Sequence, residues 1–255
     1  MNGPPRTVDQ VAGPYANFLV RVPSGGLDVC PACRSMVSGY PMCYPCSSAT
    51  WVLGNATADL TAFVSMAPNN EQLARELITY KHPNVRDADR QWKTVGLAAV
   101  LWKWLGIHER CLVARLGIDR FDLVTSVPST SGRQTHPLRS VVAEVVSGTS
   151  DRHADLLAVA RTDLEQREHA ADRFRTTRSL TGARVLVVDD TWTTGAHAQS
   201  ASAALKAAGA RTVAVVAIGR WFNPAYQTGT CDGQSWLAEH RRPGWDWQRC
   251  CLDPD

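Results

Sequence analysis

The chain has 255 residues, a formal net charge of +3, 44% hydrophobic and 20% charged residues. That is an ordinary balance for one sizeable domain plus a small module, and the charge is too small to argue for a nucleic-acid partner by itself. No apolar run approaches the ~18 residues that span a bilayer, and Met1-Asn-Gly-Pro-Pro-Arg6 lacks the regions of a secretory signal. The expectation is a cytoplasmic protein without a membrane partner, and nothing in the sequence sets an oligomeric state.

In chain order, residues 1–27 hold Pro and Gly with little pattern and read as a poorly ordered leader. Within it, Phe18–Val22 reads either as a short strand or as a segment packed on the main domain. Residues 28–52 contain Cys30-Pro-Ala-Cys33 and Cys43-Tyr-Pro-Cys46, half of the eight cysteines. Two C-x₂-C pairs at this separation are Zn²⁺-site spacing. Each turn aims two thiolates at one point, and a closed four-sulfur site leaves no open position, so its role is structural. Only Arg34 is basic inside this knuckle. Docking to the main domain or to a protein partner is therefore expected ahead of nucleic acid.

Residues 53–220 read as the main domain. Asn69 and Gln72 suit a helix start, with Leu73, Leu77 and Tyr80 on one face and Lys81 closing the helix before Pro83. Lys81 then either favours the helix C-terminus or reaches a ligand phosphate. Asp87–Leu105 reads as a second helix, with Trp92, Trp102 and Trp104 as core or interface. Phe121–Pro128 is a strand, ending in a turn of Ser129, Thr130, Ser131, Gly132 and Arg133. The small residues suit phosphate oxygens, and Arg133 can pair with them bidentately. The plainer reading is a surface turn. Leu138–Val146 reads as a helix with His136 at its start, and Asp155–Ala160 as a strand. Arg161–Arg178 is strongly charged, and for most of it a solvated helix with mixed-sign pairs is expected.

Arg184–Ala196 organises the rest. Val185–Val188 is a β-branched run typical of a strand buried on both faces, and it leads into Asp189 and Asp190. Ala196–Ala208 is built of good helix formers, with Gly209 as a stop, and Arg211–Ile218 reads as another strand. Strand, helix and strand with short links make a βαβ unit in a parallel sheet, where ligands bind at the carboxyl ends of strands. A helix N-terminus approached through Gly195, with Thr193 and Thr194 as hydroxyl donors, suits a phosphate. Two carboxylates beside it would repel that phosphate unless they face sugar hydroxyls or a bridging metal. A phosphorylated ribose fits both demands. Lys is missing from the position an NTPase loop needs, and no G-x-G-x-x-G follows a strand. An ordinary turn whose acids cap the next helix is the alternative. In residues 221–255, Trp221, Trp236, Trp245 and Trp247 lie with His240, Cys231, Cys250 and Cys251. A second metal site is conceivable there, but the spacing matches no ligand pattern, so apolar packing is expected.

Val187-Val-Asp-Asp-Thr-Trp-Thr-Thr-Gly-Ala196 resembles the phosphoribosyl pyrophosphate (PRPP) motif of type I phosphoribosyltransferases. With the four-Cys knuckle ahead of it, the chain is similar to the ComF family over roughly residues 28–220. Ser126-Val-Pro-Ser129, Arg173-Phe174 and, more loosely, Leu77-Ile-Thr-Tyr-Lys81 add to the likeness. The resemblance implies an α/β type I phosphoribosyltransferase fold behind a zinc knuckle. Asp189 and Asp190 would hold the ribose hydroxyls. Thr191, Trp192, Thr193, Thr194, Gly195 and Ala196 would wrap the 5′-phosphate. Ser129–Arg133 would take pyrophosphate, with Mg²⁺ accompanying PRPP, and Arg161, Arg167 and Arg173 would be cations of a hood. The implied activity is phosphoribosyl transfer to a nitrogen acceptor with loss of pyrophosphate. The alternative is a non-catalytic PRPP or nucleotide binder linked to DNA uptake or processing. Two features depart from the family: His197 replaces a small hydroxyl residue, and Arg133-Gln-Thr-His-Pro-Leu138 replaces an Arg-Gly-Phe-Asn-Gln-like run.

Overall fold

The computed structural model describes residues 6–130 and 136–253. Its first helix, α1 (Val8–Ala12), opens on a capping box in which Thr7 Oγ1 accepts from the Gln10 N–H and Gln10 Oε1 accepts from the Thr7 N–H. A 3-10 turn over Gly13–Asn17 follows. Leu19, Val20 and Val22 are then buried. Val20 makes an antiparallel bridge to Met66, and its N–H donates to Ser65 Oγ at 2.9 Å. The leader expected to be poorly ordered is thus, from Thr7 onward, packed structure. Its apolar side chains find a place to bury, which local sequence pattern does not reveal.

After the knuckle come α2 (Tyr44–Leu53), β1 (Leu60–Pro68) and α3 (Gln72–Thr79). The N-cap of α3 is Glu71, two residues later than expected, because Asn70 sits at φ +66, in the left-handed region, and cannot begin a helix. α4 (Asp87–Leu116) runs for 30 residues, well past the expected end at Leu105. Trp104, His108 and Leu112 continue a buried stripe at four-residue spacing, and Gly117 in the left-handed region ends the helix. Next are β2 (Leu123–Ser126) and α5 (Pro137–Ser140), which widens into a π-turn over Val141–Val145. β3 (Leu157–Val159) and β4 (Phe174–Thr176) pair antiparallel. The charged segment between them is a loop, not the solvated helix expected. Arg173 at its end is buried, which a solvated helix would not allow.

β5 (Arg184–Trp192), α6 (Ala196–Ala207) and β6 (Thr212–Phe222) form the βαβ unit. β7 (Gln227–Thr228), β8 (Cys231–Asp232) and α7 (Gly233–Arg241) complete the chain. The central sheet has the order β1-β6-β5-β2, and each of its pairings is parallel. Val185–Val188 and Val213–Ile218 are buried throughout, as both faces of the sheet are covered. Register also corrects one expectation. β5 stays paired with β6 to Trp192↔Arg220, so the acids lie in the strand and the loop begins at Thr193. Among the described residues, no helix is long and apolar enough to cross a membrane.

Candidate functional site

All strands of the central sheet point their carboxyl ends at one edge, and a cavity of about 500 Å³ opens there. β1 contributes Ala67, the segment after β2 contributes Ser129 and Thr130, and β5 and its loop contribute Asp189, Asp190, Thr191, Thr193 and Thr194. Ala196 and His197 enter from the first turn of α6, Lys81 from the end of α3, and Gln166 and Arg167 from the β3–β4 loop. Ala67 and Trp221, 154 positions apart in sequence, therefore line one cavity. Ser131, Gly132 and Arg133 lie outside the described residues.

The two acids are adjacent in sequence but differ in surroundings. Asp190 is buried at 4% exposure. Its Oδ2 accepts from Lys81 Nζ at 2.7 Å and from the Tyr80 hydroxyl. His136 Nδ1 accepts from the Leu138 N–H, so its Nε2 carries a proton, 3.7 Å from Asp190 Oδ2. Burial alone would raise the Asp190 pKa; the cationic Lys81, with His136 and Tyr80, more than offsets this and holds it below the usual carboxylate value. Asp189, partly open to the cavity, accepts the Asp190 N–H at 2.9 Å. Burial and then the neighbouring Asp190 charge push its pKa up. One carboxylate is thus held ionised, while the other binds a proton more readily than a free carboxyl.

The loop after β5 is shaped by one glycine. Gly195 caps α6 at φ +82, in the left-handed region. A Cβ there would lie 2.2 Å from the Trp192 ring. Trp192 points into the core, where its ring meets Phe63 edge-on at 5.4 Å. It underpins the loop and does not line the cavity. Thr194 Oγ1 accepts from the Ala196 N–H at 3.3 Å, and the first-turn N–H groups of a helix lack helical partners. His197 Nε2 lies 3.4 Å from Thr130 Oγ1, joining the loops after β5 and β2. Burial, followed by the Arg173 charge, lowers the His197 pKa to about 4, so the imidazole is neutral near pH 7.

The three expected hood cations separate. Arg167 lines the cavity. Arg161 is partly exposed and paired with Asp163 at 2.6 Å and Asp172 at 3.2 Å. Arg173 is buried and donates from Nη2 to the Glu165 and Glu168 carbonyls at 2.7 Å. It folds the loop and contributes no surface to the cavity.

The Sγ atoms of Cys30, Cys33, Cys43 and Cys46 all lie within 4.8 Å of one another. This four-sulfur set is closed and suits Zn²⁺. Buried Arg220, on β6, donates to Cys33 Sγ at 3.3 Å and to the Cys33 carbonyl at 2.7 Å. Such a donor beside a thiolate is expected around a zinc-sulfur centre. The same guanidinium donates to the Trp192 and Thr193 carbonyls at 3.1 Å, linking the knuckle to the loop after β5. A second cavity of about 940 Å³ lies between them, lined by Tyr44 and Met42 on one side and Thr193, Arg167 and Trp221 on the other. Arg220, Tyr80 and His136 stand out only in three dimensions. In the sequence Tyr80 marks only a helix face, His136 only a helix start and Arg220 only a polar residue after a buried strand.

No Asp189–Asp190-centred group of three His, Cys, Asp or Glu ligands occurs among the described residues. A Mg²⁺ ion at this edge would thus depend on oxygens brought by a ligand. Comparison with protein-family models finds none that matches the chain, and comparison with curated proteins finds no match either.

Proposed function

We propose that the cavity at the carboxyl edge binds PRPP, or a close phosphoribosyl relative, in a ComF-like phosphoribosyltransferase domain. One observation carries the reading: the β5 acids, Ala196 in the first turn of α6 and the Ser129–Thr130 segment line the same cavity. In this reading Thr193 to Ala196 hold the 5′-phosphate, Asp189 and Asp190 orient the ribose hydroxyls, and Ser129 and Thr130 take one end of the pyrophosphate. Mg²⁺ brought by the ligand would supply neutralisation of the pyrophosphate charge. Cys30, Cys33, Cys43 and Cys46 would hold Zn²⁺ as a structural ion. Rate comes from positioning and from a water-poor site.

A non-catalytic PRPP or nucleotide binder, a regulator or adaptor linked to DNA uptake or processing, is favoured by a different observation. Asp190 is already tied to Lys81 and Tyr80, and two of the three hood arginines are spent within their own loop. Calorimetric titration of the full chain with PRPP and Mg²⁺ tests both readings. Saturable binding that weakens about tenfold or more in Asp190→Ala supports a phosphoribosyl site, and no binding by the wild type overturns both. Pyrophosphate release in the presence of ammonia or nucleobases then selects the transferase, and its absence selects the binder.

A further inference from the structure

Eight cysteines are present, and the knuckle uses four. Of the others, Cys231 Sγ faces the Val37 carbonyl at 3.6 Å and Cys251 is buried at 1% exposure. Cys111 and Cys250 are placed differently. Cys111 lies one turn after His108 on α4, and the tail returns to bring Cys250 beside them. One ligand atom each from His108, Cys111 and Cys250 falls within a 4.8 Å group. Cys111 Sγ is 3.7 Å from His108 Nδ1. Zinc-sulfur and zinc-nitrogen bonds of about 2.3 and 2.0 Å at a tetrahedral angle separate such a pair by roughly 3.5 Å.

The imidazole is already oriented for the task. His108 Nε2 is 2.9 Å from the Trp247 carbonyl. A carbonyl only accepts, so Nε2 carries the proton and Nδ1 turns its lone pair toward Cys111. A histidine that ligates a metal typically donates its other N–H to a backbone carbonyl in this way. Burial lowers the His108 pKa, which favours the neutral, ligating form. Cys250 is itself held in place: its N–H donates to Asp253 Oδ2 at 2.8 Å, and its Sγ is 3.8 Å from Asp253 Oδ1.

We propose that His108, Cys111 and Cys250 form a second site for a zinc-class divalent ion, distinct from the knuckle, which fastens the C-terminal tail to α4. Two thiolates and an imidazole are a borderline-soft set that selects such an ion over Mg²⁺ or Ca²⁺. Both thiol protons pass to solvent on binding. The fourth position belongs to water or to the Asp253 carboxylate. The ligand spacing across tail and helix explains why no motif marks the site: the third ligand comes from a segment 139 residues after Cys111. The role is structural. Lys103 already lies over the Trp247 ring at 4.8 Å, and Trp247 meets Trp245 edge-on at 5.4 Å, so the ion would close a seam that aromatic packing begins.

Metal content of the full chain, purified with zinc under reducing conditions, tests this. The variants are Cys111→Ser, Cys250→Ser and, as control, Cys231→Ser. The first two should hold about one zinc equivalent fewer per chain than the wild type, and the control should match the wild type. Cobalt loading should show the same loss as weaker thiolate-to-cobalt absorption. Cys111 is only half-buried, so its serine variant keeps the packing and decides the matter where Cys250→Ser fails to fold. Folded Cys111→Ser with wild-type metal content overturns the proposal. So does a Cys111–Cys250 disulfide found by mass spectrometry in the native chain. The comparison with the wild type holds whether or not the knuckle is loaded and whether or not PRPP binds.

Discussion

At the end of β5, Asp189, Asp190 and Thr191 reach the cavity from a strand paired with β6 as far as Trp192. Between β3 and β4, a loop of mixed charge reaches the same cavity through Gln166 and Arg167. The first region is positioned by backbone register, so its side chains stay where the sheet puts them. In the second, the arginines bond what is nearest: Arg161 takes Asp163 and Asp172, and Arg173 takes two carbonyls of its own loop. A strand end can therefore hold two acids against one another and an unfavourable environment, whereas charged loop residues relax toward local partners. The comparison makes the β5 end the rigid half of the site and the β3–β4 loop the adaptable half.

The largest effect should come from breaking the rigid half. Gly195→Ala would force an L residue into the left-handed region and push a Cβ into the Trp192 ring. Trp192 is pinned in the core, so the loop must move. We expect a loss of about 3 kcal/mol in a urea titration, and PRPP binding below detection. Wild-type affinity in Gly195→Ala would show that the loop's shape is irrelevant to the ligand.

Lys81→Met is next. It leaves Asp190 buried with Tyr80 and His136 as its remaining partners. Removing one partner of a buried pair costs about 3–5 kcal/mol, and because the Lys81 side chain is 27% exposed we expect about 2 kcal/mol. The Asp190 pKa should rise in the variant, since Lys81 is the largest influence opposing burial. Carboxyl titration followed by NMR would read that rise directly. Lys81→Met with unchanged stability would mean that Asp190 does not depend on this contact.

What was legible in the sequence follows the same division. The β5 acids, the Thr193–Ala196 loop and the two C-x₂-C turns are contiguous, and their geometry is local. β1 lacks a clear strand signature in the sequence, because Thr61 and Ser65 interrupt its apolar run. Both are buried, and their partners, the Ala32 carbonyl and Val20, lie 29 and 45 residues away. The pairing of Lys81 with Asp190 spans 109 residues and has no local signature. Arg161 and Arg173 show the converse error: charge in the right segment says nothing about which residue points inward.

A pH profile probes the join between the two loops of the rigid half. His197 is half-buried, and its folded pKa of about 4 lies below the ordinary value of about 6.5. As pH falls through 6.5 the unfolded chain takes a proton that the folded chain refuses. Stability therefore drops with falling pH until about 4, below which both states are protonated and the loss is constant. His197→Gln should flatten this limb, retaining about 2 kcal/mol more of its neutral-pH stability at pH 4 than the wild type retains. Parallel profiles for wild type and variant would place the refused proton elsewhere.

The smallest effects should separate the arginines of the adaptable half. Arg167 lines the cavity, so Arg167→Ala should weaken PRPP binding by about fivefold, roughly 1 kcal/mol for an exposed charged hydrogen bond, without moving the urea midpoint. Arg161 makes its pairs on the surface, and such pairs contribute little. Arg161→Ala should leave both the urea midpoint and PRPP affinity within error of wild type. If Arg161→Ala instead weakened PRPP binding as much as Arg167→Ala, the loop would have to rearrange around the ligand and release Arg161 from Asp163 and Asp172. Loss of affinity in Arg161→Ala that disappears in Asp163→Asn, where one of those pairs is already weakened, would identify that rearrangement. The two halves of the site would then differ in timing, one formed before the ligand arrives and the other completed by it.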